Sequence, residues 1–171
     1  MVEAEYKQTT LLNATRGGIN LVQISKNPSF QEGKAVGPVG FIDIYPTLCE
    51  LAGLSFPEHL QGHSLVKTMK GKEETEFAIS QFHRGEKMGY AIRDKRYRYV
   101  EWIEEGFHAN PEADLTRVAD KELFDYEKDP WETKNVADME EYREVQEMME
   151  KKLHGFYKDK LKFVNRNITQ N

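Results

Sequence analysis

The sequence predicts an α+β fold: a short strand and helix, then a four-stranded antiparallel sheet packed by a C-terminal helix. Three observations carry this. Between Phe77 and Tyr126, four short stretches rich in aromatic and β-branched residues are separated by polar segments. From Asp138 onward, apolar residues recur at helical spacing with charge on the opposite side. Strands followed by a covering helix give one sheet face something to pack against. At 171 residues the chain is one domain, or one and a fraction.

Taken in order, residues 1–16 are polar, and Gly17-Gly18 breaks any helix there. Ile19–Ser25 alternates and reads as a strand, followed by a Gly/Pro/polar loop over Asn27–Pro38. Phe41–Gly53 reads as a helix. Asp43 is placed to cap it, Pro46 is tolerated in the first turn, and Gly53 suits a left-handed C-terminal cap. Ile44, Leu48 and Leu51 recur at helical spacing and predict its buried stripe. Ser64–Lys70 reads as a second short helix ended by Gly71, with Leu65, Val66 and Met69 apolar.

The expected strands are Phe77–Phe82, Gly89–Asp94, Tyr97–Trp102 and Glu122–Tyr126. Arg84–Lys87 and Asp94–Arg96 form the turns, and Glu104–Ala119 is a long acidic loop, a feature often tied to function. Asp129-Pro130 breaks the chain, because proline removes a donor and biases its predecessor away from helix. The last helix starts near Asp138, where Asp138 and Glu141 have the spacing of a capping box. Tyr142, Val145, Met149, Leu153 and Phe156 form its packing face.

Composition narrows the function classes. The chain is polar, with 39% hydrophobic and 31% charged residues and a mean hydropathy of −0.73, so its core must lean on aromatics. A net charge of −5 argues against nucleic acid as partner, since phosphate binding needs clustered positive charge. The one basic run, Arg93–Arg98, reads as the solvated edge and turn of a hairpin in preference to an anion site. No apolar run approaches the ~20 residues of a membrane helix, and the first residues lack the apolar core of a signal peptide. Cys49 is the only cysteine, which excludes an intramolecular disulfide and leaves the compartment undetermined.

Four stretches carry a family resemblance. GYAIRDKRYRYVEW (89–102) and ELFDYEKDPWETKNVAD (122–138) resemble the C-terminal subdomain of the sulfatases, in particular the iduronate-2-sulfatase-like branch. GFIDIYPTLCELAGL (40–54) and FPEHLQGHSL (56–65) resemble the stretch that precedes it in the same family. The four occur in the family's order and cover residues 36–160. The resemblance implies that residues 1–72 are the tail end of an alkaline-phosphatase-like α/β core, with a remnant strand and helix. Residues 73–171 are then the C-terminal subdomain, sheet plus helix. It implies a sulfuric ester hydrolase acting on sulfated sugars or related esters, through a formylglycine nucleophile and a bound calcium ion. Members of the family are often exported or lysosomal.

The nucleophile motif, Cys/Ser-x-Pro/Ala-x-Arg, has no match. Cys49 is followed by Glu50-Leu51-Ala52-Gly53, no serine begins the motif, and the family's aspartate and Asp-His or Asp-Asn calcium ligands have no counterpart. The chain is thus expected to hold no cofactor itself and to be inactive alone, with calcium implied only for the full-length family. Its expected partners are a sulfated carbohydrate, the missing catalytic portion or a second copy of itself. A non-catalytic module binding sulfated glycans or a partner protein is the alternative.

Three residues are candidates for the site. EYKQTTLLNATR (5–16) resembles the family stretch in which a lysine contacts the sulfate, which places Lys7 in that role, although Gly17-Gly18 stands where the family has Val-Pro. A compact ammonium with several donors suits a sulfate; the other reading is an exposed lysine in a frayed terminus. His83 and Arg84 end a strand at a turn, where Arg could grip an anionic oxygen pair and His donate to it. The resemblance makes them substrate contacts, because that subdomain borders the family's substrate cleft; the plainer reading is a polar hairpin. His59 and His63 lie among Pro57 and Gly62, without the helix a zinc pair needs, so no metal ligand is assigned. Glu127, Asp129, Glu132 and Asp138 read as turn chemistry.

Overall fold

A computed structural model describes residues 37–72, 75–104 and 117–168, with side chains as far as residue 158, together with the backbone of strands Tyr6–Thr9 and Gly18–Leu21. The chain divides into two units, Met1–Ala78 and Ile79–Asn171.

In the first unit, β1 (Tyr6–Thr9) pairs antiparallel with β2 (Gly18–Leu21), Lys7 opposite Asn20. The strand expected at Ile19–Ser25 therefore begins one residue earlier, and its residues 22–25 lie outside the described residues. The polar segment before it supplies its strand partner. A 3₁₀ turn, Phe41–Asp43, leads into α1 (Ile44–Leu51), and α2 is Val66–Met69. Gly53 and Gly71 follow the two helices with φ of 68° and 66°, the left-handed geometry expected of their caps.

Two expectations for α1 are corrected. Asp43 does not cap α1 with its side chain. Its carboxylate instead accepts from the Gly40 and His63 backbone N–H groups, both at 2.9 Å, tying the turn to the segment before α2. The buried side of α1 is Pro46, Thr47 and Cys49, while Leu48 is exposed and Ile44 and Leu51 are half-buried. Thr47 decides this orientation: its Oγ1 accepts from the Leu65 N–H at 2.9 Å and donates to the Asp43 carbonyl at 2.5 Å, so it must face α2. A hydroxyl at a helical position gave no apolar signal, yet it outweighs the leucine pattern.

The second unit is the sheet and its helix. β3 (Ala78–Arg84), β4 (Lys87–Arg93), β5 (Tyr97–Ile103) and β6 (Val118–Asp125) lie in that order, with β4–β5 and β5–β6 antiparallel. All four expected strands are present, although β6 starts earlier than Glu122 and takes Val118 and Ala119 from the expected loop. Residues 105–116 of that loop lie outside the described residues. The β4–β5 turn is closed by Asp94, whose Oδ1 accepts from the N–H groups of Arg96 (2.8 Å) and Tyr97 (2.6 Å).

Alternation sorts the strands into two faces. Tyr90, Ile92, Tyr99, Ile103 and Leu123 meet the final helix, α3 (Arg143–Ile168), which is entered through a 3₁₀ turn at Glu140–Tyr142. Met149, Leu153 and Tyr157 of α3 complete this core, with Tyr142 from the turn. Burying a side chain such as Leu153 is worth about 1.5–3 kcal/mol. Three turns of α3 thus account for its docking. Tyr157 was not among the expected packing residues, and Asp138 gives way to Met139 at the cap position.

A polar network runs under α3 as well. Glu101 is fully buried; it accepts from the Tyr99 hydroxyl at 2.9 Å and lies 3.0 Å from His154 Nε2. Lys121 Nζ donates to Glu150 Oε2 at 2.8 Å.

The basic run is not a solvated edge. Arg98 is buried and donates through Nε and Nη2 to the two carboxylate oxygens of Glu132, each at 2.6 Å. Arg96 binds Asp125 in the same two-pronged way, at 2.9 and 2.8 Å. Glu132 is thus a core ligand and not turn chemistry. It holds φ at 54°, the one positive φ on a non-glycine among the described residues, and it also accepts from the Tyr126 hydroxyl. Asp129 does serve a turn, accepting from the N–H groups of Trp131, Thr133 and Lys134. Asn135 and Val136 then cover part of β6, through Leu123 N–H to Asn135 Oδ1 and Val136 N–H to the Leu123 carbonyl, both 2.9 Å.

Candidate functional site

The β3–β4 turn holds two of the three sequence candidates. β3 ends at Arg84, β4 begins at Lys87, and Gly85 with φ of 61° makes the two-residue hairpin possible. His83 and Arg84 are both exposed. Consecutive strand residues point to opposite faces, so the two side chains do not converge on one ligand as a pair would. Ile79 and Gln81, of the same parity as His83, meet the face under α3: Ile79 packs on its core and Gln81 donates to the Tyr90 hydroxyl at 3.1 Å. Arg84 belongs to the other face, and its guanidinium carbon stands 5.8 Å from the Trp102 ring centroid.

Trp102 is what Arg84 rests on. It lies on β5 opposite Gly89 of β4, and a Cβ added at Gly89 would come within 2.8 Å of the ring. Only glycine lets the indole lie against the strand. The indole N–H donates to Glu122 Oε1 at 3.0 Å, which fixes the ring, and Lys87 pairs with Asp120 at 2.5 Å across the sheet. The result is a fixed, buried aromatic plate (Trp102 is 6% exposed) beneath the exposed Arg84 guanidinium, which is the one of the two open to a ligand. Planar donors beside an apolar ring suit an anionic group carried on a sugar. Trp102 was read only as a strand residue. The signal that could have found it was Gly89 inside an aromatic strand, which marks a close approach.

Lys7 lies in β1, opposite Asn20, and its side chain lies outside the described residues. Cys49 is buried in α1, a poor position for a nucleophile as well as a poor sequence match. His59 and His63 are exposed outside any helix. No helix among the described residues is long and apolar enough to cross a membrane.

Comparison with known proteins identifies the family. Residues 27–159 match the family described as N-sulphoglucosamine sulphohydrolase, C-terminal. Delta 4,5-hexuronate-2-O-sulfatase of Bacteroides thetaiotaomicron is 32% identical over 111 residues, 61% of this chain and 20% of that protein. Arylsulfatase K of Xenopus laevis is 28% identical over 164 residues, 88% of this chain and 28% of that protein. Among solved structures, a 2-O GAG sulfatase superposes with a TM-score of 0.56 at 27% identity, over 82% of this chain and 30% of that one. The chain therefore spans about a fifth to three tenths of the length of the relatives it matches. The sequence resemblance, the sheet-and-helix fold and these matches agree: the chain belongs to the sulfatase family and is a C-terminal portion of it.

Proposed function

We propose that the chain is the C-terminal part of a sulfuric ester hydrolase acting on sulfated sugars, and that it contributes substrate contacts without the catalytic apparatus. The observation that carries this reading is a family match over residues 27–159 in a chain that has no formylglycine motif and no calcium-ligand motif. Nucleophile and calcium then come from sequence outside it, and residues 1–72 and 73–171 are the core tail and the C-terminal subdomain. Arg84, set against Trp102, is the substrate contact; His83, on the other face, takes a lesser part, and Lys7 is the sulfate contact of the first unit. Relatives named for 2-O-sulfated hexuronate and GAG substrates support a sulfated uronic acid as the sugar, which fits the iduronate-2-sulfatase-like resemblance.

The test is sulfate release, with calcium added, from a chromogenic aryl sulfate and from 2-O-sulfated disaccharides. The chain alone should release none. A chain extended upstream through a Cys/Ser-x-Pro/Ala-x-Arg motif should turn over, and Arg84→Ala should raise its KM at least several-fold with kcat less affected. No turnover by the extended chain on any sulfate ester would overturn the reading.

One observation favours a second reading, a stand-alone binding module. Phe41, Ile42, Tyr45, Leu48, Leu54 and Phe56 are all large, apolar and exposed in the first unit. Tyr45 and Leu48, three apart, share one face of α1, and exposed apolar residues so placed support a surface that another protein covers. The missing catalytic portion is the occupant under the first reading; a second copy or a separate protein is the occupant under this one. Sedimentation of the chain alone separates them: a concentration-dependent dimer favours self-association.

A further inference from the structure

Beneath α3, three side chains of ligand type converge that the sequence does not bring together. One donor atom from each of Glu101, Glu150 and His154 lies within 4.8 Å of the others. His154 Nε2 is 3.0 Å from both oxygens of Glu101. Two zinc-type bonds of about 2.1 Å meeting at a tetrahedral angle hold their donor atoms about 3.4 Å apart. His154 and Glu101 are therefore a few tenths of an ångström from ligand spacing, and Glu150 reaches it by a side-chain adjustment. Glu150 and His154 sit four residues apart on α3, so they share a face of the helix. Glu101 rises from β5 beneath them and fixes the third corner.

The surroundings point to a bound ion. Glu101 is fully buried, and among the described residues its one cationic partner at hydrogen-bond distance is His154, which carries charge only when protonated. A buried carboxylate without steady compensation is costly. Tyr157 is 4% exposed, its ring stacks on that of His154 at 5.8 Å and 28°, and its buried hydroxyl has no hydrogen-bond partner. Gln146 Oε1, one turn before Glu150, is a second buried oxygen without a partner. Orphaned buried oxygens flanking a carboxylate–imidazole cluster are what an ion and its water shell would satisfy. His154 and Glu150 keep 41% and 29% of their side chains exposed, which leaves an entry route and room for a water ligand.

We propose that Glu101, Glu150 and His154 bind one divalent transition-metal ion of the zinc class, pinning α3 to the sheet. Imidazole with two carboxylates is a borderline donor set that suits zinc better than the all-oxygen shell calcium prefers. Lys121 Nζ, 2.8 Å from Glu150 Oε2, competes for the same carboxylate.

The test is titration of the chelator-treated full chain with Zn²⁺ alone, followed by competition with a chromogenic chelator. One equivalent should bind in the micromolar range or tighter and raise Tm. Glu150→Gln and His154→Gln, both at partly exposed positions, should each weaken binding at least tenfold while circular dichroism stays native. Lys121→Gln should strengthen it, a result that loss of a merely structural ion pair would not give. His59→Gln and His63→Gln should change nothing. A natively folded chain that binds no zinc would overturn the proposal, as would binding that Glu150→Gln and His154→Gln leave intact.

Discussion

Replacing Glu132 by Gln tests how the second unit is locked. The Arg98 and Glu132 side chains keep 5% and 2% of their surface, and two 2.6 Å hydrogen bonds join them in parallel. Such a pair adds little over an apolar one of the same shape, since desolvation offsets the attraction. Breaking it from one side is another matter. Glu132→Gln keeps the size and the backbone but leaves the Arg98 charge buried with a neutral partner, at a cost of about 3–5 kcal/mol. Domains of this kind are stable by about 5–15 kcal/mol, so about a fifth or more of the total is at stake. With a urea m-value of about 2 kcal/mol/M, the midpoint should fall by roughly 1.5–2.5 M. Both tryptophans, Trp102 and Trp131, lie in the second unit, so fluorescence reports its unfolding alone. Arg98→Met should cost less than Glu132→Gln, because the Glu132 carboxylate keeps the Tyr126 hydroxyl as a donor. Arg98→Met combined with Glu132→Gln should recover at least about 2 kcal/mol relative to the sum of the single changes. A loss below about 1 kcal/mol for Glu132→Gln at unchanged m, or additivity in the cycle, would refute the claim that this pair is closed to water.

Three further outcomes are expected. Gly89→Val should destabilise the sheet by about 1–3 kcal/mol and shift the Trp102 emission, because the new side chain meets the indole that the glycine admits; unchanged emission would count against the aromatic plate. Asp125 is held below the ordinary carboxylate range, chiefly by its Arg96 hydrogen bond and also by the Glu127 N–H and the Tyr142 hydroxyl. Its contribution is full above the unfolded value near 4 and is lost as pH falls through the lower folded value, so Asp125→Asn should flatten the acid limb of a stability–pH curve. Asp43→Ala removes the acceptor shared by the Gly40 and His63 N–H groups and should cost the first unit about 1–2 kcal/mol, read as lost hydrogen-exchange protection at those amides.

The site was only half legible in the chain. His83 and Arg84 are adjacent in sequence and looked like one anion grip, but strand alternation divides them between faces. Arg84 then gains Trp102, eighteen residues away, through a hairpin and a glycine that lets the indole approach. The cluster of Glu101, Glu150 and His154 left no motif at all, because its members come from a strand and a helix some fifty residues apart.

The sequence by itself determined the family, the four strands and the long helix. Those depend on apolar spacing, turn residues and contiguous motifs, all of which are local properties of the chain. It also placed the apolar face of α3 correctly, because a stripe of large apolar side chains leaves one way to pack. Tertiary structure decided where polar groups went. Leu48 of α1 turns outward while Thr47 turns in, and Arg98 and Glu132 of a seemingly solvated run and turn are buried together. The physical reason is that a buried polar group is tolerated only with a partner, and the partner is supplied by a distant segment that local pattern cannot see.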